Sequence, residues 1–207
     1  MIMAVDGPTA SGKGTIAKAL AAHFRLPHMD TGLLYRAVGY QVALYNCDPD
    51  SEADALAACN FPEELLGHPA LRSEATGGLA SRVSVHPRVR RALHDRQRKY
   101  ATQPGGAVLD GRDIGTVIAP DADVKLFVTA SVEARAERRW KEMHARGEPQ
   151  TLAEIEDDLR RRDLRDSTRA TAPLVAAEDA IVLDTSELDR DEAVAHAIEL
   201  VNEALGR

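Results

Sequence analysis

The sequence predicts an α/β fold of the doubly wound type, with a five-stranded, mostly parallel sheet that carries helices on both faces. Five short apolar segments alternate along the chain with segments whose apolar residues recur at helical spacing, the order expected of a parallel sheet with helical crossovers. The predicted strands are Ile2–Val5, Leu26–Met29, Ala107–Asp110, Val124–Val128 and Ile181–Asp184. Glycine-rich or acidic residues end or follow four of these segments, at the strand ends where such sheets bind their ligands.

The first predicted strand leads into a glycine-rich loop and then a helix, the order in which phosphate-binding loops occur. Gly7 to Lys13 has the spacing G-x-x-x-x-G-K, and helical spacing begins at Ile16. Glycines allow backbone N–H groups to surround an anion, and the helix N-terminus adds partial positive charge. Lys13 adds a full charge that can reach the β- and γ-phosphates of a nucleotide. The alternative, a glycine-rich turn with a chance lysine, is disfavoured by the strand and helix on either side.

The residue after Lys13 narrows the class of nucleotide-binding protein. In the common form of the motif, a Ser or Thr follows the lysine and binds Mg²⁺ through its hydroxyl. Here Gly14 takes that position and Thr15 follows it. The ending G-K-G-T resembles that of nucleoside-monophosphate kinases. We therefore expect Mg²⁺ to be held mainly by phosphate oxygens and water, with a carboxylate elsewhere that orients it.

The remaining elements follow from periodicity, capping residues and helix breakers. An apolar stripe predicts a helix from Leu33 to about Asn46, and Pro87 is well placed as the first residue of a helix to Tyr100. Polar residues typical of helix starts mark three more helices: Ser131, Thr151 with Glu154, and Asp189 with Glu192. Lys125 lies within an apolar segment, which indicates a position near a strand end or edge.

We expect one domain, 1–207, with three parts. Its core would comprise residues 1–49, 86–130 and 170–207. The other parts are an excursion at 50–85, where glycines and prolines interrupt the apolar pattern, and a lid region at about 131–169. At 207 residues the chain is long enough to bury a sizeable core in this arrangement.

Composition and charge limit the classes of partner. A net charge of −7 makes the chain a poor non-specific binder of nucleic acid, because attraction to phosphates dominates that affinity. Arginines still cluster at 88–91 and 160–169, which suits a small, highly charged ligand, although several must pair with Asp or Glu on solvated helix faces. No apolar run approaches the roughly 20 residues that span a membrane. The apolar start from Met1 to Val5 is too short for a signal-peptide core and lacks a basic leader, and Cys47 and Cys59 have no metal spacing. We expect a cytoplasmic monomer with free thiols and no nucleic-acid or membrane partner.

A second polar motif, Asp110-Gly111-Arg112-Asp113, includes the end of the third predicted strand. A carboxylate at a strand end beside a phosphate-binding loop commonly helps to hold Mg²⁺, and here Asp110 would do so through water. Arg112 can bind a phosphate group with two parallel hydrogen bonds. The alternative is an Asp-centred turn with a local ion pair, and it loses weight because the phosphate-binding loop occurs in the same chain.

Five motifs together resemble bacterial cytidylate kinase. They are GPTASGKGT at Gly7–Thr15, DTGLLYR at Asp30–Arg36, HPRVR at His86–Arg90, DGRDIGT at Asp110–Thr116 and RDSTRA at Arg165–Ala170. The DGRD segment is the most telling, since adenylate kinases carry a DGFPR type of segment there and shikimate kinases lack it. The similarity covers nearly the whole chain and implies the P-loop nucleoside-monophosphate kinase fold. The excursion looks shorter than the insert of bacterial members, and we expect its small strand-rich part to be reduced or replaced by helix.

The resemblance implies a role for each matching polar residue. The ATP phosphates would be held by Gly7, Pro8, Thr9, Ala10, Ser11, Gly12, Lys13, Gly14 and Thr15. The acceptor would be bound through its phosphate by Arg36, Arg112 and Arg169, through its ribose by Thr31, Arg162 and Asp166, and through its base by Ser81, Arg90 and Asp113. Phosphoryl transfer would be assisted by Lys13, Arg112, Arg135 and Arg139, the last two as mobile lid arginines. A solvated helix face is the alternative for Arg135 and Arg139, and the shortened excursion weakens the assignment of Ser81 most.

The implied activity is transfer of the γ-phosphoryl group of ATP to CMP and dCMP, with Mg²⁺ as cofactor. Catalysis would consist of positioning and charge neutralisation, with no covalent intermediate. Two alternatives stay open: another small-molecule kinase, which accepts UMP or a hydroxyl acid, and a nucleotide-binding switch. GTPase switches read guanine with N-K-x-D, and none of Asn46, Asn60 and Asn202 precedes a lysine, so the switch is the weaker alternative.

Overall fold

All 207 residues are described by the structure, a computed structural model, and they form a five-stranded sheet flanked by helices. The strands are β1 (Ile2–Asp6), β2 (His28–Asp30), β3 (Ala107–Gly111), β4 (Val124–Thr129) and β5 (Ile181–Asp184). Their order in the sheet is β2-β3-β1-β4-β5, and every neighbouring pair is parallel. The predicted α/β fold with five strands is confirmed.

Eight α-helices connect and cover the strands. They are α1 (Lys13–Phe24), α2 (Gly32–Leu44), α3 (Glu52–Ala57), α4 (Glu74–Val83), α5 (Pro87–Ala101), α6 (Val132–His144), α7 (Leu152–Thr168) and α8 (Arg190–Ala204). Short 3₁₀ turns at Glu63–Gly67 and Pro69–Arg72 and a π-type turn at Ile114–Ile118 complete the regular structure. No helix combines the length and the apolar character that crossing a membrane requires.

The core occupies both faces of the sheet, which explains why the predicted strands read as continuous apolar runs. Alternate residues of β1 point to opposite faces. Met3 and Val5 pack with α1 and α8, whereas Ala4 packs with the end of α5. Full burial of one large aliphatic side chain contributes about 1.5–3 kcal/mol. Side chains buried on both faces therefore hold β1 in place between β3 and β4. The position of β1 in turn determines the position of the loop that follows it.

The predicted helix starts are present with the hydrogen bonds that capping residues provide. Ser131 Oγ accepts from Ala134 N at 3.1 Å. Thr151 and Glu154 form a reciprocal capping box at the start of α7, and Asp189 and Glu192 form another at the start of α8. Because the cap determines where a helix begins, the sequence also predicts which α7 residues share one face.

Residues 50–85 fold as helices and turns without a strand, as the shortened excursion predicts. Within this segment, α4 packs closely on α2. A Cβ at Gly39 would lie 2.8 Å from Leu79 Cβ, so a larger residue at position 39 would force the two helices apart. This close packing brings the start of α4 next to Arg36 on α2.

Lys125 is the second residue of β4, so the expectation of a strand end is correct, but the strand is internal. Its Nζ lies 2.8 Å from both carboxylate oxygens of Asp179, in the segment before β5. The long aliphatic part of the side chain is buried while the ammonium meets a carboxylate. A charge inside an apolar strand is thereby compensated without an edge position.

Candidate active site

A cavity of about 550 Å³ lies beyond the carboxyl ends of β2 and β3, between the loop after β1 and helices α2, α4 and α7. Most of the residues that line it are polar or charged, which suits an ionic ligand. Most residues implicated by the sequence line it: Thr9, Ala10, Ser11, Gly12, Lys13, Gly14, Thr15, Thr31, Arg36, Ser81, Arg90, Asp110, Arg112, Asp113, Arg139, Arg162, Asp166 and Arg169. Gly7, Pro8 and Arg135 do not line the cavity.

The loop between β1 and α1 has backbone geometry that depends on glycine. Gly7 has φ +153°, and a Cβ there would lie 2.0 Å from Val128 O, so the loop leaves β1 in direct contact with β4. Gly12, at φ +89°, immediately precedes Lys13 at the start of α1. No side chain caps this helix, so its first N–H groups remain available to an anion.

Lys13 lies against the loop, with Nζ 3.4 Å from Pro8 O. Burial, with a further effect from the nearby Arg112 charge, lowers the pKa of Lys13 to about 8. The hydroxyl of Ser11 is also buried and has no hydrogen-bond partner. The hydrogen-bond acceptor of the Lys13 ammonium is a neutral carbonyl, with the charges of Asp110, Asp30 and Asp166 nearby, and an anionic phosphate would give it a directly bonded counter-charge.

Two carboxylates meet where β2 and β3 end, because Asp30 pairs in register with Asp110. Burial and then the Asp110 charge raise the pKa of Asp30. His28 was missed by the sequence analysis, and its Nε2 lies 2.7 Å from Asp110 Oδ1. A Cβ at Gly14 would lie 3.6 Å from Asp110 Oδ2, so the space beside this carboxylate stays open. No cluster of three or more possible protein ligands for a metal exists in the chain. The pair therefore fits a cation that takes most of its ligands from phosphate and water.

Arg112 spans the cavity between the two groups of predicted residues. Its Nη2 donates to Thr9 Oγ1 at 2.6 Å, in the phosphate-binding loop. Its Nε donates to Asp166 Oδ2 at 2.9 Å, on the face of α7 predicted to contact the ribose. Thr31, which is also predicted to contact the ribose, donates its hydroxyl hydrogen to Asp110 O at 2.8 Å. The guanidinium of Arg112 thus connects the two halves of the site.

Asp113 pairs with Arg90 rather than with its neighbour Arg112. Both side chains are buried, and Arg90 also lies 5.4 Å from the centre of the Tyr35 ring. Arg169 Nη2 lies 3.8 Å from Asp113 Oδ1, is buried, and has no hydrogen-bond partner. Burial and the nearby Arg90 charge lower the pKa of Arg169. The local Arg112–Asp113 ion pair considered from the sequence is absent, and a buried guanidinium donor is left available.

Asp6 supports the segment that carries Asp113, a contact the sequence analysis did not predict. Its two carboxylate oxygens accept from Ile114 N and Gly115 N, each at 2.8 Å. Burial raises the pKa of Asp6 to about 6, although both backbone hydrogen bonds oppose the rise. The only signal available from the sequence was an acidic residue immediately before the loop.

The excursion contributes to the cavity through its contacts with Arg36 of α2 and through Ser81, the one residue of this segment predicted to lie in the site. Arg36 Nη1 donates to Leu71 O at 2.9 Å and to Ser73 O at 3.0 Å, just before α4. Ser81 lines the cavity and accepts from Arg165 Nη1 at 2.7 Å. Burial lowers the pKa of Arg36. This segment therefore reaches the cavity.

The two lid arginines named from the sequence lie in different environments. Arg135 is buried behind the loop, where it donates to Thr9 O at 3.2 Å and forms a two-point ion pair with Asp163. Arg139 lines the cavity and pairs with Glu74 of α4. Neither arginine lies on a solvent-exposed helix face, which was the alternative for both.

Arg138, the neighbour of Arg139, also lines the cavity, and the sequence analysis did not select it. It donates to Thr185 Oγ1 at 3.0 Å and to Leu188 O at 3.2 Å, in the segment that follows β5. In the sequence, Arg138 is one of several arginines on one predicted helix. Such a series does not reveal which arginine faces a cavity.

The chain is similar in sequence to known proteins over nearly its whole length. A family model described as cytidylate kinase matches residues 3–203. A cytidylate kinase of Methylocella silvestris is 54% identical over 205 residues, covering 99% of this chain and 95% of that protein. One from Cereibacter sphaeroides is 55% identical over 207 residues, covering 99% and 98%.

Among solved structures, an uncharacterized protein from Eubacterium ventriosum superposes with a TM-score of 0.57 at 14% identity, covering 100% of this chain and 99% of that one. At this identity the likeness concerns the fold alone. The match to the family model and the identity to the curated relatives both extend over nearly the whole chain. The chain therefore belongs to the cytidylate kinase family.

Proposed function

We propose that this protein transfers the γ-phosphoryl group of ATP to CMP and dCMP, giving ADP and the corresponding diphosphate. The observation that carries the proposal is one continuous cavity with a phosphate-binding loop at one end and a cluster of arginines at the other. Arg112 contacts both ends. Family membership and the names of the relatives agree with it.

On the donor side, the phosphates of ATP would occupy the loop from Gly7 to Thr15. The free N–H groups of α1 and the ammonium of Lys13 would bind them. Mg²⁺ would neutralise phosphate charge there, with Asp110, and Asp30 beside it, contacting its water ligands. The raised pKa of Asp30 beside a second carboxylate supports this assignment, because a divalent cation relieves such repulsion.

On the acceptor side, Arg36, Arg112 and Arg169 would bind the monophosphate. They come from α2, the loop after β3 and the end of α7, so a single incidental ion pair does not account for their meeting. The unpartnered Nη2 of Arg169 supports this role, because a buried donor without an acceptor is costly unless a ligand satisfies it. The ribose would contact Thr31, Arg162 and Asp166.

Cytosine would be read by Asp113 and Arg90, with Ser81 beside them. Cytosine presents an amino donor at position 4 next to an acceptor at N3, whereas uracil presents the opposite pair. An ionised carboxylate only accepts and a guanidinium only donates. Because Asp113 and Arg90 contact each other, they can present an acceptor and a donor side by side, as the cytosine edge requires.

Transfer itself would depend on positioning and charge. Lys13, Arg112 and Arg139 line the cavity where negative charge must be balanced as the phosphoryl group moves. Arg135 would act differently from the role implied by the resemblance, as a support of the loop through Thr9 O. The protein would work as a cytoplasmic monomer.

The test is an ADP-release assay with ATP, Mg²⁺ and CMP, dCMP, UMP, AMP or GMP in parallel, with the diphosphate product identified. We expect CMP and dCMP to be the best acceptors and CDP to form in equal amount to ADP. A preference for UMP or a hydroxyl acceptor would identify another small-molecule kinase. Phosphate release without any acceptor would indicate a nucleotide-binding switch and would refute the proposal.

A further inference from the structure

Glu74, the first residue of α4, binds arginines from two other elements. One carboxylate oxygen accepts from Arg139 of α6 and the other pairs with Arg162 of α7. The charge of Arg36 on α2 also acts on it. Although burial alone would raise the pKa of Glu74, the guanidinium groups of Arg162 and Arg139 hold it below its usual range. This one carboxylate therefore connects the excursion with both helices of the lid region.

Each nitrogen of Arg139 already donates to a carboxylate in this arrangement. Its Nε donates to Glu74 Oε2 at 2.8 Å, and its Nη2 donates to the same oxygen. Its Nη1 donates to Glu142 at 3.2 Å. An arginine commonly binds phosphate with the fork formed by two of these nitrogens. Arg139 cannot offer the Nε–Nη2 fork to a nucleotide while Glu74 holds it.

The two arginines that pair with Glu74 differ in their burial and in their other partners. Arg162 is buried and keeps a second carboxylate, Asp158, whose Oδ2 lies 2.8 Å from its Nε. Arg139 is less buried, and its remaining partner Glu142 is exposed on the same helix. Exchange of partners is therefore easier for Arg139 than for Arg162.

We propose that Glu74 controls the availability of Arg139 to the phosphoryl-transfer site: it holds this guanidinium before the nucleotides bind and releases it to their phosphates afterwards. The inference rests on the proposed function, because it needs phosphates in the cavity that Arg139 lines. Glu74 keeps its contact with Arg162 during the exchange. The excursion thus controls when the lid arginine is available to the nucleotide.

A double-mutant cycle tests the exchange directly. We would measure the dissociation constant of a bisubstrate nucleotide, cytidine and adenosine joined through five phosphates, by calorimetry for wild type, E74Q, R139A and the double variant. Loss of a competing charge-assisted contact is worth about tenfold in affinity. We expect the effect of E74Q on binding to be about tenfold more favourable when Arg139 is present than in the R139A background. Any effect transmitted through Arg162 is the same in both backgrounds and cancels from this ratio.

Trp140, the only tryptophan in the chain, gives a second measurement that does not depend on turnover. It follows Arg139 in α6, and its ring stacks on His144 with centroids 4.9 Å apart. Without nucleotide, the fluorescence anisotropy of Trp140 should fall in E74Q and in R139A, and no further in the double variant. Asp157→Asn is the matched control, because it removes one carboxylate from an exposed pair with Arg161 and should leave both measurements unchanged.

If E74Q changes the dissociation constant equally in the two backgrounds, Glu74 does not compete with the nucleotide for Arg139. If E74Q weakens binding more when Arg139 is present, Glu74 holds Arg139 in its productive position. Either result overturns the exchange. The proposed function fails in a different way, namely if the wild-type protein forms no ADP with CMP. Normal CMP turnover by R139A would remove Arg139 from the reaction and overturn the inference while leaving the proposed function intact.

Discussion

Asp113→Asn should reduce the preference for CMP over UMP by about 10- to 100-fold. A site built from buried polar groups for one pattern of donors and acceptors can reject the other pattern by roughly 10⁴-fold. The asparagine amide can rotate and present either a donor or an acceptor. One of the two discriminating contacts is then lost, and a hydrogen bond to a charged group is worth about 1.5–3 kcal/mol, which gives the expected range.

The stability cost of the same change follows from the burial of the ion pair. The side chains of Asp113 and Arg90 are 6% and 7% exposed, and a second guanidinium, that of Arg169, lies 3.8 Å away. Removing one partner of a buried pair costs about 3–5 kcal/mol. Asparagine keeps the shape and one acceptor, so we expect the free energy of unfolding to fall by about 2 kcal/mol. A protein of ordinary stability stays folded after such a loss.

The assay compares kcat/KM for CMP and UMP in wild type and variant, with circular dichroism to establish that the variant is folded. Asp121→Asn is the control, since it removes a carboxylate from an exposed pair with Arg98, and neither residue lines the cavity. If Asp113 only orients Arg90, both substrates weaken together. An unchanged CMP-to-UMP ratio in a folded variant would therefore refute Asp113 as a reader of cytosine.

Three further predictions concern the rest of the site. Lys13→Ala should lower turnover by about 10²–10³ in a folded protein, since it removes one group that balances transition-state charge, and near-normal turnover would exclude it from the mechanism. Alanine at Arg36, Arg112 or Arg169 should strongly reduce CMP turnover yet retain ATP binding by calorimetry, and ordinary CMP kinetics in any variant would make that residue structural. Asp6 has a folded pKa of about 6 against 3.8 unfolded, so its contribution to stability is present below pH 4 and is lost as the pH rises through 6. Relative to Asp6→Asn, wild type should lose about 2.4 kcal/mol of unfolding free energy between pH 4 and 7, and a difference independent of pH would contradict this.

The fold could be predicted from the sequence because its determinants are local. Each strand is a short apolar run, and Ser131, Thr151 and Glu154 lie within a few residues of the helix starts they stabilise. The phosphate-binding loop is likewise one contiguous segment. A parallel sheet with helices on both faces then restricts where the strand ends meet, so Asp30 and Asp110 could be expected at the same edge.

The partners of the charged residues could not be predicted in this way. The sequence suggests the adjacent Arg112 as the partner of Asp113, yet Asp113 pairs with Arg90, which is 23 positions away. Glu74 pairs with residues 65 and 88 positions away. Such pairs depend on the angle at which helices pack, and periodicity carries no information about that angle. Arg135 shows the same limit, since its helix was predicted but the side that faces the loop was not.

The net charge of the chain and the charge inside the cavity have opposite signs. The chain carries −7 overall, which argues against a long polyanion. The cavity reverses that sign, because ten Lys or Arg side chains and six Asp or Glu side chains line it, a surplus of four positive charges. A phosphate monoester such as CMP carries about −2 near neutral pH, and ATP brings further negative charge. A local surplus of this size on an acidic protein favours small, highly charged ligands inside the cavity and repels extended nucleic acid from the rest of the surface.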